Sequence, residues 1–261
     1  MNKGTFVIKT KWILLLVVPF IQWHTRTIHA QTFDLGTWNI VGLKYSHTAK
    51  WALFGEGQLR SLKFYNHFHY YEFKGGVEYK MHPQIRVALA IGNYDTYKEG
   101  GNFVLPKNND ELRIWPQLIF THPFGRFTIE QRYRVEMRFT TNGYRNRFRY
   151  RFGLAYNLRK ENSTKKQLQL FANNELFFTN TAPYFERNRS SIGMQYKVTP
   201  YLTLQIAYLH QFDYQINDET GRDFFQIGFN FDIKNNKCKS ILLRYRKINM
   251  HLKKLKCNES I

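Results

Sequence analysis

Residues Phe127–Phe139 read FTIEQRYRVEMRF, and this stretch decides the fold. Every second residue from Phe127 is apolar except Gln131. The residues between them are polar and mostly charged: Thr128, Glu130, Arg132, Arg134, Glu136 and Arg138. A period of two predicts a β-strand with one apolar and one charged face, long enough to cross a bilayer at a tilt. Because the alternation recurs along the chain, we expect a closed barrel with an apolar exterior and a wet, charged lumen.

Turn residues divide the chain into eleven strand-like segments. They lie at about 36–46, 50–61, 67–80, 84–97, 110–121, 125–140, 143–158, 166–179, 186–198, 200–212 and 222–233. Single-chain bacterial barrels usually have an even number of strands. The sequence therefore predicts an all-β, antiparallel, up-and-down transmembrane barrel of ten or twelve strands. Either one strand escapes detection or the first segment lies elsewhere, for example inside the lumen.

The lengths of the connections predict an orientation. Short turns follow the third, fifth and ninth segments, and longer links follow the fourth, eighth and tenth. Outer-membrane barrels keep short turns in the periplasm and long loops outside the cell. We therefore expect the last strand to end on the periplasmic side.

Both ends of the chain differ from the barrel region, which we assign to residues 31–233. Residues 1–30 combine early lysines with the apolar run 12–21, which predicts a signal peptide, or alternatively an uncleaved anchor. Export of a barrel predicts the outer membrane of a Gram-negative cell, with membrane lipid and the barrel-assembly machinery as partners. Residues 234–261 form a basic tail, which the sequence leaves open as a periplasmic helix, a lipid-binding segment or a disordered extension.

The formal net charge of +20 does not indicate a nucleic-acid-binding protein, because much of the excess lies in the two ends. Cys238 and Cys257 both lie in the tail, so no disulfide framework is expected for the barrel. No Cys or His spacing is typical of a metal site. We expect neither a metal nor another cofactor.

The charged faces of the sixth and seventh segments predict the candidate site. A hairpin turn at Asn142–Gly143 would bring Glu136 opposite Arg149 and Arg134 opposite Arg151. Glu175 would then meet Arg149 or Arg151. The predicted lumen ladder consists of Glu130, Arg132, Arg134, Glu136, Arg138, Arg147, Arg149, Arg151, Glu175, Arg187 and Arg189.

Three functions fit this ladder. Arg–Glu pairs could simply fill and stiffen a sealed, purely structural barrel. Alternatively, rings of arginine favour small anionic solutes in a narrow, porin-like channel or binding barrel. A lipid-modifying hydrolase is the third possibility, with His67, His69 or His210 as candidate residues and Ser61 near the first two. No serine has a spacing that compels a catalytic dyad, so we assign no catalytic residue.

Several motifs together resemble the family named domain of unknown function 2490, outer-membrane barrels common in Bacteroidetes. The motifs are Gly36-Thr37-Trp38, Gln58-Leu59-Arg60-Ser61, the 130–139 run EQRYRVEMRF, the 147–151 run RFRYR, Asn173-Asn174-Glu175-Leu176-Phe177, Arg187-Asn188-Arg189 and the late segment from Gly228 to Phe231. The resemblance covers most of residues 33–233 and implies an outer-membrane location. It supplies no established activity and no catalytic residues.

Overall fold

The computed structural model describes residues 35–158, 167–214 and 220–235. The predicted signal peptide, residues 31–34 and almost all of the predicted tail lie outside the described residues. No helix within the described ranges is long and apolar enough to cross a membrane.

Eleven strands form one closed barrel in which each strand pairs with its neighbours in the chain. The strands are β1 Gly36–Ser46, β2 Trp51–Lys63, β3 Asn66–His82, β4 Ile85–Lys98, β5 Val104–Phe124, β6 Phe127–Thr140, β7 Gly143–Asn157, β8 Leu168–Thr179, β9 Phe185–Lys197, β10 Leu202–Asp213 and β11 Thr220–Lys234. The predicted all-β, up-and-down barrel is confirmed, and each predicted segment corresponds to one strand. The largest difference is the start of β5, because residues Val104–Asn109 continue the ladder against β4 through two register shifts.

The strand number is eleven, between the expected ten and twelve. An odd number is possible because the first and last strands pair in parallel. β1 runs parallel to β11, with Gly36 beside Phe224 and Ser46 beside Lys234. All other pairs of neighbouring strands are antiparallel. The expectation of an even number assumes antiparallel closure, which this seam does not use. The first segment is a strand of the wall and does not lie inside the lumen.

The parallel seam gives the barrel two distinct rims. Rim A carries the connections after β1, β3, β5, β7 and β9 together with the end of β11, and rim B carries the others together with the start of β1. Short turns follow β3, β5 and β9 at rim A, and longer links follow β4, β8 and β10 at rim B, as the sequence predicts. The division is incomplete, since β7 and β8 are joined by a long link at rim A and β6 and β7 by a two-residue turn at rim B.

Alternation along the strands separates two surfaces. Large apolar side chains such as Phe73, Leu89 and Ile192 are about 60% exposed on the outside. Aromatic residues also pack inside, where Trp115 is fully buried against Tyr94. The interior therefore combines charged groups with rings, while the exterior is apolar.

Two inner glycines allow neighbouring strands to approach each other. A Cβ atom at Gly193 would lie 2.6 Å from the Ala207 Cβ and would also press on the Ile206 carbonyl oxygen. Gly76 faces Ala90 in the same way, again with 2.6 Å to the alanine Cβ. Such contacts mark places where a strand bends and its partner comes close.

We predict that Gly193→Ala lowers the free energy of unfolding by about 1–3 kcal/mol, because the added methyl group overpacks the β9–β10 pair. Urea unfolding in detergent solution measures the change. Gly55→Ala is the matched control, because its nearest neighbouring atom would be 3.9 Å away. A loss of stability at Gly55 equal to that at Gly193 would contradict the packing argument.

Candidate functional site: the arginine-lined lumen

A cavity of about 1530 Å³ occupies the lumen. Its lining reaches from Asn142 and Thr181 near rim B to Lys44 and Asn230 near rim A. Fifteen Lys or Arg and nine Asp or Glu residues line it, and the carboxylate of Glu136, buried just behind the lining, leaves an excess of five positive charges. The lumen is thus an electropositive space that extends along the strands.

The hairpin of β6 and β7 places like charges directly opposite each other. The cross-strand pairs are Arg132 with Arg151, Arg134 with Arg149, Glu136 with Arg147 and Arg138 with Arg145. Like charges opposite each other destabilise a sheet, so carboxylates from this and other strands must lie between them.

The predicted register of this hairpin is wrong by two residues. The turn consists of residues 141–142, and Gly143 is already the first residue of β7, with a φ of 104°. Because the shift is even, every side chain keeps its predicted face. Glu136 therefore lies opposite Arg147, although its side chain still reaches Arg149.

Glu136 is the central carboxylate of the lumen wall and is fully buried. Its Oε1 accepts hydrogen bonds from Arg149 Nη1 at 2.5 Å and Arg134 Nη1 at 3.3 Å. Its Oε2 lies 3.7 Å from Arg147 Nη1 and 3.9 Å from Arg113 Nη1. Four guanidinium groups from three strands thus share one carboxylate.

Glu175 on β8 extends the network beyond the hairpin. Arg149 donates from Nη2 to both of its carboxylate oxygens at 3.0 Å. Arg132 donates to Oε1 at 2.6 Å. Arg149 therefore bridges Glu136 and Glu175. The contact between Glu175 and Arg149 is one of the two that the sequence predicts.

Two further carboxylates hold the arginines nearer rim B. Glu111 accepts bonds from Arg113 at 2.7 and 2.9 Å and also binds Arg138 through both oxygens. Glu186 binds Arg147 through both oxygens and lies 3.6 Å from Arg138. Such bidentate pairs fix the planes of the guanidinium groups.

The network ends in two smaller groups. Glu130 accepts bonds from Arg151 at 2.5 Å and from Arg86 at 2.9 Å. Arg187 pairs with Asp213.

Arg189 differs from these arginines, because it forms no ion pair within the described residues. Its Nε donates to Gln211 Oε1 at 2.8 Å. Its guanidinium carbon lies 4.9 Å from the ring centre of Trp38 and 4.9 Å from that of Phe177. Trp38 belongs to β1, three strands away around the wall. Arg189 therefore reaches across part of the lumen and is held by rings.

Stacked rings and guanidinium groups continue on both sides of this bridge. Arg60 lies 3.4 Å from the Trp38 ring centre and 4.0 Å from that of Tyr70. Arg149 lies 4.5 Å from the Phe177 ring centre. Cation–π contacts of this kind stabilise arginine without a counter-charge. A row of rings and guanidinium groups thus runs from Tyr70 to Arg149 along the lumen wall.

The structure places all eleven residues of the predicted ladder on the inner side of the wall. Ten of them line the cavity, and Glu136 lies buried behind them. Sequence reasoning missed Glu111 and Arg113, although they alternate with Leu112 and Ile114 in the same way. It also missed Glu186, which joins the inner side because the register shifts between Phe177 and Phe178 of the facing strand.

The histidines named for the hydrolase alternative lie in different surroundings, and those nearest Ser61 in the sequence do not bond to it. Ser61 donates to the Lys63 carbonyl oxygen and also bonds Thr37, and no hydrogen bond joins it to His67 or His69. His69 is buried and lines the lumen. His210 lies on the outside and pairs with Asp223. No group of three or more potential ligands for a metal occurs in the part of the chain that is described.

Comparison with known proteins assigns the chain to a family without an assigned activity. The model of the family described as "Protein of unknown function (DUF2490)" matches residues 35–222. The chain therefore belongs to this family, which confirms the resemblance. No curated protein matches the sequence. A similar solved structure is that of the NanC porin in a rhombohedral crystal form. The two share 13% identity and a TM-score of 0.47, over 75% of this chain and 96% of the porin chain.

We predict that Glu136→Gln lowers the free energy of unfolding by about 3–5 kcal/mol, because it leaves four guanidinium groups without their shared charge. Urea unfolding in detergent micelles measures the change. Glu99→Gln is the control, since the Glu99–Arg222 pair is exposed and should contribute about 0–1 kcal/mol. Similar effects for both variants would contradict the central role of Glu136.

Proposed function

We propose that the protein is an outer-membrane barrel whose lumen binds small anions and lets them pass. The membrane location is supported by the exterior, where apolar side chains such as Phe73, Leu89 and Ile192 face outward. Each strand has at least eleven residues, which is enough for a tilted span. A chain of this kind needs the barrel-assembly machinery for insertion and membrane lipid around it. The longer links at rim B support an orientation with this rim outside the cell.

The anion function is supported above all by the excess of five positive charges around the cavity, with Glu136 included. Most lumen arginines have carboxylate partners, which limits their attraction for a solute. Arg189 and Arg145 have none within the described residues. The Nη groups of Arg189 form no hydrogen bond within the described residues and remain available to an anion.

A carboxylate or phosphate group suits this position. Guanidinium groups bind such groups through two parallel hydrogen bonds. Fixed rings beside Arg189 hold its plane in advance, which reduces the entropy lost on binding. The positive charge of the guanidinium groups favours an anionic solute, and a narrow lumen favours a small one.

The competing function is a structural barrel with a sealed lumen. Its support is the close packing of the wall, where Glu136 and Trp115 are fully buried. The two functions differ in a single measurement, because only an open lumen carries ionic current.

We predict that the purified protein conducts ions in planar bilayers and that its reversal potential in a KCl gradient indicates a preference for chloride. Arg189→Gln should reduce this preference, because it removes from the lumen a positive charge that has no carboxylate partner within the described residues. Arg126→Gln is the control, since Arg126 is exposed outside the cavity and bonds Tyr156. Absence of current would favour the sealed barrel, and preference for potassium would exclude the anion function.

We also predict that Ile91→Arg lowers the stability of the protein folded in lipid vesicles by about 2–4 kcal/mol, because it places a charge in the middle of the lipid-facing surface. Met81→Arg, at the end of β3, should cost about 0–1 kcal/mol. Unfolding in urea from vesicles measures both changes. Equal stabilities of Ile91→Arg and the unaltered protein would contradict a membrane-spanning barrel.

A further inference from the structure

A polar row interrupts the apolar exterior near rim B. The exterior positions of β8 to β11 can be recognised because they alternate with the residues that line the lumen, such as Glu175, Arg189, Gln211 and Arg222. The row consists of Asn174, Asn188, Ser190, His210 and Asp223. Neighbouring exterior positions are apolar, including Leu176, Ile192, Ile206 and Phe225.

The strand register aligns three of these residues side by side. His210 on β10 is the direct partner of Ser190 on β9 and of Asp223 on β11. Side chains of directly paired residues have their Cβ atoms about 4.5–5.5 Å apart. His210 therefore has a hydroxyl-bearing neighbour on one adjacent strand and a carboxylate-bearing neighbour on the other.

The imidazole of His210 is hydrogen-bonded to the carboxylate of Asp223. His210 Nδ1 lies 2.7 Å from Asp223 Oδ1, which also accepts a hydrogen bond from Tyr208 at 2.5 Å. A carboxylate at Nδ1 leaves Nε2 as the proton acceptor. Gly221 makes room for the ring, because a Cβ atom there would lie 3.3 Å from His210 Cε1. Nε2 lies over the Gly221 position on β11, so the ring must turn about its side-chain bonds to reach Ser190.

Ser190 has amide groups beside its hydroxyl. It is exposed, and its Oγ accepts a hydrogen bond from Asn174 Nδ2 at 3.0 Å. The Ser190 hydroxyl in turn donates to Asn188 Oδ1 at 3.3 Å. An amide N–H so close to Oγ can also reach an oxyanion that forms on a carbon attached to Oγ.

We propose that Ser190, His210 and Asp223 form a hydrolytic site on the lipid-facing surface, and that its substrate is an acyl ester of a membrane phospholipid. Ser190 is the nucleophile, His210 the general base and Asp223 the positioning residue that orients His210. Asn174 supplies the oxyanion donor. The site is separate from the lumen and requires only that the barrel spans a membrane.

The reaction proceeds in two balanced steps. Ser190 Oγ attacks the ester carbonyl carbon while its proton passes to His210 Nε2. The bond from carbon to the alcohol oxygen then breaks, and His210 returns the proton to that oxygen, which leaves an acyl-serine and a lysophospholipid. Water then attacks the acyl carbon of the acyl-serine and gives one proton to His210. The bond between the acyl carbon and Ser190 Oγ breaks, and His210 returns the proton to Oγ. A fatty acid leaves.

The position of the row favours a lipid substrate. His210 is three residues from the end of β10, which corresponds to about 10 Å along the strand. This places the site toward the rim, near the level at which ester groups border the hydrocarbon core. The apolar residues around it would contact acyl chains, whereas a water-soluble ester would find little to bind.

The test uses the full-length protein in mixed micelles of detergent and phosphatidylethanolamine. We expect release of fatty acid, and about 10³-fold or more loss in Ser190→Ala. His210→Asn should lose about 10²-fold or more. His122→Asn is the matched control, because His122 is also exposed on the exterior but lies near rim A, away from the row. Unchanged hydrolysis in Ser190→Ala, or none in the unaltered protein, overturns the proposal.

Two further measurements separate chemistry from folding. A fluorophosphonate probe should label Ser190, as mapped by mass spectrometry, and labelling of another serine instead would overturn the assignment. Asp223→Asn should lower kcat about 10²-fold or more with KM unchanged, because it affects the orientation of His210 and leaves lipid binding intact. A change in KM alone would contradict the positioning role. Chloride preference in Ser190→Ala should equal that of the unaltered protein, so failure of the lumen function and failure of this site are distinguishable.

Discussion

The structure depends on charge neutralisation inside a closed wall. Burying a guanidinium group is costly unless a carboxylate and hydrogen bonds compensate for lost water. The β6–β7 hairpin nevertheless sets three pairs of arginines opposite each other. Glu136, Glu175 and Glu111 make this arrangement stable by each binding more than one arginine. Because the carboxylates come from β5, β6 and β8, the network ties four adjacent strands together.

Closure of the sheet is the second constraint. A barrel has no free edge, so the first and last strands must pair whatever their relative direction. With eleven strands that direction is parallel, and the described chain therefore starts at one rim and ends at the other. The seam also contributes to the lumen wall. Trp38 on β1 stacks with Arg60 from the neighbouring β2 and with Arg189 from β9.

The two faces of the wall provide different chemistry. The inner face carries an excess of positive charge around an enclosed cavity, on which the proposed anion function rests. The outer face is apolar except for the row around His210, where a serine, an imidazole and a carboxylate are direct cross-strand neighbours. A strand can serve both faces at once, since Arg189 points inward and Ser190 points outward on β9.

The sequence by itself determined the fold class and the face on which each ladder residue lies. A period of two fixes sidedness, and an even error in register leaves it unchanged, so the predicted ladder survived a hairpin shifted by two residues. Stretches such as ELRIW at 111–115 carried the same signal as the sixth strand. The family could also be recognised from these motifs, because strand patterns and short motifs are local.

Only the tertiary structure decided which charges meet and which remain free. The partners of Glu136, the bridge formed by Arg189 and the row of Ser190, His210 and Asp223 all join residues distant in sequence. Their contacts depend on exact register and on the way the sheet closes, and neither is encoded in the alternation of one strand. Closure also decided the strand number, because the direction of the final pair is a property of the whole barrel.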